Sequence, residues 1–274
     1  NLAIRGISGN LGDKPADTFA EDQHKDLKAD FIMANPPFNQ KAWRTENELL
    51  DDPRWKGYTV PPTGNANYGW ILNILSKLSE NGVAGFLLSN GALSGEGDEQ
   101  KIRQELLQND KVEAIIILPR NMFYSTDISV TLWILNNNKT AREVKVGATL
   151  RKYRNRKGEV LFMDLRQMGE PFEKKYTQFS SADIAKIAGT YHEWQQRKIE
   201  DVPEYSATAT LEDIEAKNWS LVPSKYIEFR NRDEQVNFDE KMRELQTHMR
   251  ELLKQQKESE KEIANIFKNL GYEL

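Results

Sequence analysis

Short apolar runs alternate with amphipathic stretches in the first half of the chain, and that alternation predicts a parallel α/β sheet between about Asp30 and Asn136. Four runs read as buried strands: Phe31 to Ala34, Val83 to Leu88, Val112 to Leu118 and Val130 to Leu135. Between the first two, Trp70, Ile71, Ile74, Leu75 and Leu78 share one face of a helix that Asn81-Gly82 is expected to stop. Between the second and third, Glu99 to Gln108 reads as a helix with Ile102, Leu106 and Leu107 turned inward.

The pattern changes past Lys139. A hairpin is expected from Val144 to Leu165, with Arg151, Lys152, Arg154, Arg156 and Lys157 interleaved with Tyr153 around its turn. Such a cluster is either a phosphate clamp or a solvated hairpin tip. A helix from Asp183 to about Arg197 precedes a polar, proline-containing stretch, Asp201 to Thr210, that reads as a linker. In the tail, Phe238, Met242, Leu245, Met249, Leu252, Gln256, Ser259, Ile263, Ile266 and Leu270 follow one another at spacings of four and three. This is a heptad seam with a polar break, and it predicts one long helix built to pack on another helix or back on its own domain. The chain thus divides into a sheet region 1–175, a helix and linker region 176–231 and a heptad helix 232–274.

Composition narrows the chemistry. The 274 residues suffice for one large or two modest domains with a real core. No cysteine occurs, and His24, His192 and His248 are scattered without ligand-like spacing, so neither disulfides nor a metal centre is expected. There is no apolar run of roughly 20 residues and no signal-peptide layout at the start, which points to a reducing, cytoplasmic setting. A formal net charge of -4 gives no global basic footprint, so nucleic acid would be met through a local patch or a partner.

The most informative residues are Asn35-Pro36-Pro37-Phe38, where the first strand runs out. Two prolines remove two N–H donors, fix φ at each ring and push Asn35 out of the helical region. The carbonyls then face something other than a helix ladder. An exocyclic amine such as that of adenine fits: Asn35 Oδ1 and the Pro36 carbonyl each accept one hydrogen while Phe38 stacks on the ring. A plain strand-ending turn is the alternative. Open α/β sheets bind ligands at the carboxyl ends of parallel strands, so Ser89-Asn90-Gly91 and Asn121 to Thr126 are expected on the same rim. There Phe123 or Tyr124 either walls a base pocket or plugs the core.

Taken in order, several blocks resemble the methylation (M) subunits of type I restriction-modification systems, which are N6-adenine DNA methyltransferases. They are Asn35-Pro36-Pro37-Phe38, Ala66-Asn67-Tyr68-Gly69-Trp70-Ile71, Leu88-Ser89-Asn90-Gly91 with Leu93-Ser94-Gly95, and Ile117-Leu118-Pro119 with Phe123-Tyr124-Ser125-Thr126. Leu161-Phe162-Met163-Asp164 and Leu221-Val222-Pro223-Ser224-Lys225-Tyr226 complete the set, which covers essentially the whole chain. Asn-Pro-Pro-Phe alone is shared with methyltransferases acting on glutamine or ribosomal RNA; the ordered set is far more specific.

The resemblance implies a Rossmann-like, mostly parallel methyltransferase sheet in 1–175, followed by a helical carboxyl-terminal region ending in the long amphipathic helix. It implies S-adenosylmethionine (SAM) as cofactor and direct methyl transfer to a flipped adenine in DNA. Asn35, Pro36, Pro37 and Phe38 would be the catalytic turn, Phe123 and Tyr124 would lie beside the base, and Asp17 would contact the adenine end of the cofactor. The partners implied are DNA, a specificity subunit on the carboxyl-terminal helix, a second methylation subunit and a restriction subunit.

The family's amino-terminal helical region and Gly-rich strand-to-helix turn have no counterpart here, and Asn1 to Ile7 resembles the helix just beyond that turn. The chain therefore reads as a carboxyl-terminal fragment, inactive and without measurable SAM affinity on its own. Two other readings stay open: a non-catalytic assembly module, and an N5-glutamine or ribosomal RNA methyltransferase, against which the heptad helix argues.

Overall fold

The computed structural model describes residues 2–124, 126–146, 149–173, 175–230 and 238–269. Ser125 and Leu270, expected on the rim and the heptad seam, lie outside them. The chain separates into two compact units, Asn1–Phe229 and Arg230–Leu274.

The strands of the first unit are β1 (Ala29–Ala34), β2 (Leu78–Ser89), β3 (Val112–Ile117), β4 (Val130–Asn136), β5 (Arg142–Val146), β6 (Thr149–Tyr153), β7 (Glu159–Asp164), β8 (Glu170–Phe172), β9 (Tyr176–Gln178) and β10 (Ser206–Thr210). Its helices are α1 (Asn67–Ser76), α2 (Asp98–Gln108), α3 (Ser181–Gln196) and α4 (Leu211–Ala216). Six strands form the main sheet in the order β1-β2-β4-β3-β7-β10, while β5 with β6 and β8 with β9 form two small hairpins. β1 runs parallel to β2 and β3 parallel to β7, whereas β4 runs antiparallel to both β2 and β3. The α/β class and a core of strands with one direction are as expected, but β4 reverses. Among the described residues, Leu118 to Ser129 holds no helix to carry the chain across the sheet, so the strand returns beside β3.

Four further expectations are corrected. α1 ends at Ser76, and Asn81-Gly82 lies inside the long strand β2, where the register slips against β1 between Ala29 and Phe31. A Cβ on Gly82 would stand 2.7 Å from the Ala29 carbonyl oxygen, so the bulge needs glycine. The hairpin pairs Arg142 to Val146 with Thr149 to Tyr153, and the following run joins the main sheet as β7. The expected linker ends as strand β10, with Ala207 and Ala209 buried and paired to β7. Small side chains at alternate positions look polar on average, which hid the strand. Finally, residues 2–28 hold only one short 3-10 turn, Ala3–Arg5, in place of the helix expected at the start.

The two faces of the sheet are covered unequally. On one, Phe86, Leu88, Trp133, Leu135, Ile115 and Phe162 are buried in a cluster completed by Ile71 and Leu72 of α1, Ile102 and Leu106 of α2 and Ile214 of α4. Truncating Phe86 or Trp133 to Ala there is expected to cost roughly 3–5 kcal/mol. On the other, Ala114, Ile116, Leu161 and Met163 pack with Trp194 of α3. On that edge strand β1 leaves Phe31 and Met33 82% and 94% exposed.

Two of the five basic residues in the run, Arg154 and Arg156, are turned inward. Arg156 is buried and its Nε donates to Glu113 Oε1 at 2.9 Å, with Asn136 and Tyr191 donating to the other carboxylate oxygen at 2.6 and 3.0 Å. Arg154 pairs with Glu159 at 2.8 Å, and Lys152 in β6 with Glu143 at 2.9 Å.

The second unit is one helix, α5 (Phe238–Asn269), as the seam predicts for its described residues. Leu245 and Leu252 are about half exposed along it. The polar break is closed locally by Gln256 Nε2 donating to Glu260 at 2.8 Å. Among the described residues no helix is long and apolar enough to cross a membrane.

Candidate functional site

β1 delivers its last residue, Ala34, opposite Phe86 of β2, and the chain then turns through the two prolines. Pro36 is buried while Asn35 and Pro37 are exposed. Neither the Asn35 carboxamide nor the Pro36 carbonyl oxygen is hydrogen-bonded among the described residues. The turn thus presents two open acceptors on a backbone that cannot follow a helical course. Phe38 is half-buried against the cluster that holds Leu118 and Val130.

The three rim segments named from the sequence come together. Ser89, the last residue of β2, donates from Oγ to Asn39 Oδ1 at 2.9 Å, which ties the first loop to the second. Thr131 of β4 donates to Asn90 Oδ1 at 2.6 Å. Met122 and Phe123, beyond β3, are half-buried against the same apolar cluster as Phe38. Tyr124 turns away from it: its ring is 73% exposed and meets Tyr176 of β9 edge-on, with centroids 4.6 Å apart.

Two residues that sequence reasoning did not single out as site residues organise this rim. Asn67, the first residue of α1 and 1% exposed, donates from Nδ2 to Asn39 Oδ1 at 2.9 Å and accepts the Asn39 N–H at 3.0 Å. Asn39 itself has φ 53°. A buried Asn opening an otherwise apolar helix was the visible signal for Asn67; nothing local marked Asn39. The next residue, Tyr68, is fully buried, donates to the Ala92 carbonyl at 2.7 Å and accepts from Arg103 at 3.1 Å. Burial pushes its hydroxyl up to about 12, so it stays a donor at neutral pH.

Asp17 lies in a separate loop that is also fastened to α1. Its Oδ1 accepts the N–H groups of Phe19 and Ala20 at 2.7 and 3.0 Å, while Oδ2 has no partner among the described residues. Phe19 packs on Trp43 and Trp70 at 4.4 and 4.3 Å between ring centroids. Gly69 makes this possible, since a Cβ there would meet both Trp43 and Phe19 at 3.0 to 3.3 Å. Buried Arg54 grips the carbonyls of Thr18 and Phe19 at 2.8 and 2.6 Å and is neutralised by Asp52 at 2.7 Å. For a nucleoside cofactor such as SAM, the Asp17 loop fits as one wall: a fixed carboxylate with a free oxygen, beside aromatic carbon. A glycine-rich cradle is not found among the described residues. No group of three or more His, Asp or Glu placed to hold a metal ion is found there either.

Comparison with known proteins gives a consistent picture. The N-6 DNA methylase family model matches residues 1–235. The HindI methylase subunit of a type I restriction enzyme from Haemophilus influenzae is 41% identical over all of this chain. The MjaIX methylase subunit of Methanocaldococcus jannaschii is 30% identical over 99% of it. The chain spans only 58% and 47% of the lengths of these two relatives. In structure, the methyltransferase subunit of a type I restriction-modification system from Streptococcus thermophilus superposes with a TM-score of 0.69 at 25% identity, over 84% of this chain and 45% of that one.

Proposed function

Because the chain belongs to the N-6 DNA methylase family, we propose that it is part of a type I methylation subunit that transfers a methyl group from SAM to N6 of a flipped adenine in DNA. The observation that carries the reading is the pair of unpaired acceptors at the carboxyl end of β1, Asn35 Oδ1 and the Pro36 carbonyl. SAM supplies an electrophilic methyl group when bound.

Adenine N6 is a poor nucleophile, because its lone pair is delocalised into the ring, and inside a duplex it is out of reach. Asn35 and Pro36 would each accept one N6 hydrogen, which favours a pyramidal nitrogen with its lone pair aimed at the methyl group. Pro37 holds the turn stiff, and half-buried Phe38 would stack on the flipped base, with Phe123 packed in the same apolar cluster. No covalent enzyme intermediate is needed, in keeping with a chain without cysteine. Asp17 would hold the nucleoside end of SAM. The remaining cofactor contacts would come from the part of the longer relatives that this chain does not span, joined at the open edge of β1. On this reading the 274-residue chain alone binds SAM too weakly for calorimetry to detect; micromolar affinity would place the cofactor site elsewhere. The protein would work in the cytoplasm.

The partner reading follows from α5. Its seam residues Met242, Leu245, Met249 and Leu252 are exposed, and they would dock on a helix of a specificity subunit, with a second methylation subunit and a restriction subunit completing the assembly. Replacing both Leu245 and Leu252 with Glu is expected to abolish co-purification with the specificity subunit, since each change buries an unpaired charge. Wild-type yield of the complex would sink this assignment.

The experiment for the activity uses the full-length subunit, labelled SAM and unmethylated genomic DNA, with nucleosides identified after digestion. The expected product is N6-methyladenine, lost in Asn35→Ala by a factor of about 100 to 1,000, the scale of one acceptor or donor removed from a charged transition state. Label in cytosine, in RNA or in a protein glutamine would refute it.

A further inference from the structure

Asn35 and Asn39 are the same residue type four positions apart on one turn, with opposite surroundings. Asn35 has no hydrogen bond among the described residues. The Asn39 oxygen accepts from Asn67 Nδ2 and Ser89 Oγ, each at 2.9 Å, and from Asn65 Nδ2 at 3.4 Å. In return the Asn39 N–H donates to Asn67 Oδ1 at 3.0 Å. Asn67 is pinned too: its N–H donates to Asn65 Oδ1 at 2.9 Å, and it is 1% exposed. Ser89 is 5% exposed. One carboxamide oxygen therefore joins the turn after β1, the first residue of α1 and the last residue of β2.

The backbone makes this joint rigid. Asn39 sits at φ 53°, in the left-handed region that Asn and Gly tolerate and most residues avoid. Between it and Asn35 stand two prolines with fixed φ, so a shift at Asn39 is passed along to Asn35 and Phe38 with little slack to absorb it. We infer that Asn39 is a positioning residue for methyl transfer, its side-chain oxygen locating the Asn35 acceptor and the Phe38 ring against α1 and β2. The inference rests on the acceptor-turn reading above.

All three of these side-chain bonds run through the oxygen, and Asn39 Nδ2 donates none among the described residues. An aspartate is therefore the conservative substitute: it keeps the acceptor and tolerates the same φ. Glycine tolerates the same φ and removes the whole carboxamide, oxygen included. At Asn67, aspartate does the reverse and turns a donor into an acceptor that faces another acceptor.

The test is steady-state methylation of unmethylated genomic DNA by the full-length subunit in its native assembly, for Asn39→Gly, Asn39→Asp, Asn67→Asp and Asn35→Ala in parallel. Asn39→Gly should lower kcat by about 100-fold, the usual result of an ångström-scale misplacement. KM for SAM should stay within about threefold, because only the reacting geometry changes. Asn67→Asp should fall with it. Asn39→Asp should restore most of kcat, because either form of the carboxyl keeps an oxygen that accepts these bonds.

A wild-type kcat in Asn39→Gly overturns the inference, as does an Asn39→Asp variant as slow as Asn39→Gly. Should Asn39→Gly fail to fold, shown by circular dichroism, the pair at the joint decides: a slow Asn67→Asp beside an active Asn39→Asp supports the inference, and equal rates overturn it. If Asn35→Ala keeps its activity, the acceptor reading fails and this inference with it. If Asn35→Ala is dead while Asn39→Gly is active, this inference alone fails.

Discussion

Residues 35–40 and residues 151–157 both carry the side chains that nucleic acid attracts, and the fold treats them in opposite ways. At the first, a strand end leaves exposed Asn35 and the carbonyl of buried Pro36 without hydrogen bonds among the described residues. At the second, Arg154 and Arg156 turn inward to Glu159 and Glu113 and stack on Trp194 at 5.1 and 5.9 Å. Density of positive charge is thus a poor guide here; the unspent hydrogen-bonding capacity is at the rim. The difference teaches that charge can be spent on stability in one segment while hydrogen-bonding capacity is left open in another.

The comparison breaks first at Arg156. Arg156→Met strands the fully buried Glu113 carboxylate, and is expected to cost roughly 3–5 kcal/mol of stability, read as a drop in the denaturation midpoint. Adding Glu113→Leu should recover much of that, because an apolar pair of similar volume no longer leaves a charge unpaired. A destabilisation under 1 kcal/mol for Arg156→Met would mean that the network is incidental.

Phe38→Ala is the matching change at the rim. It should leave the midpoint nearly unmoved and weaken base capture by roughly 1–3 kcal/mol, seen as a raised KM for DNA at constant KM for SAM. Equal losses toward both ligands would make Phe38 a structural plug. The smallest effect is at Lys152 and Glu143, 74% and 52% exposed and 2.9 Å apart in the hairpin: Lys152→Ala is expected to change stability by about 0.2–1 kcal/mol and methylation not at all. A marked loss of DNA affinity in that variant would support the clamp reading.

Much of this was readable in the chain. Strands with continuous aliphatic runs, such as Val112 to Ile117, and helices with a clean inward face, such as Ile102, Leu106 and Leu107, are found where the pattern places them, because burial alone specifies them. The acceptor turn was legible because two prolines after a strand leave few conformations. What failed depended on partners distant in sequence. The reversal of β4 is decided by pairing with β2 and β3, the inward turn of Arg156 by Glu113 some forty residues earlier, and the Asn39 joint by Asn67 and Ser89. No local window contains those contacts. Ser206 to Thr210 was missed for a different reason, since alanine and threonine at alternate positions carry too little apolar signal to mark a buried strand.

The contrast between the open rim and the closed basic segment is tested most directly by hydrogen exchange of the full-length subunit with and without unmethylated duplex and a non-reactive SAM analogue. Peptides spanning residues 31–44 are expected to gain protection when both ligands are present, while those spanning 149–158 stay unchanged. Protection gained at 149–158 with none at 31–44 would contradict the account.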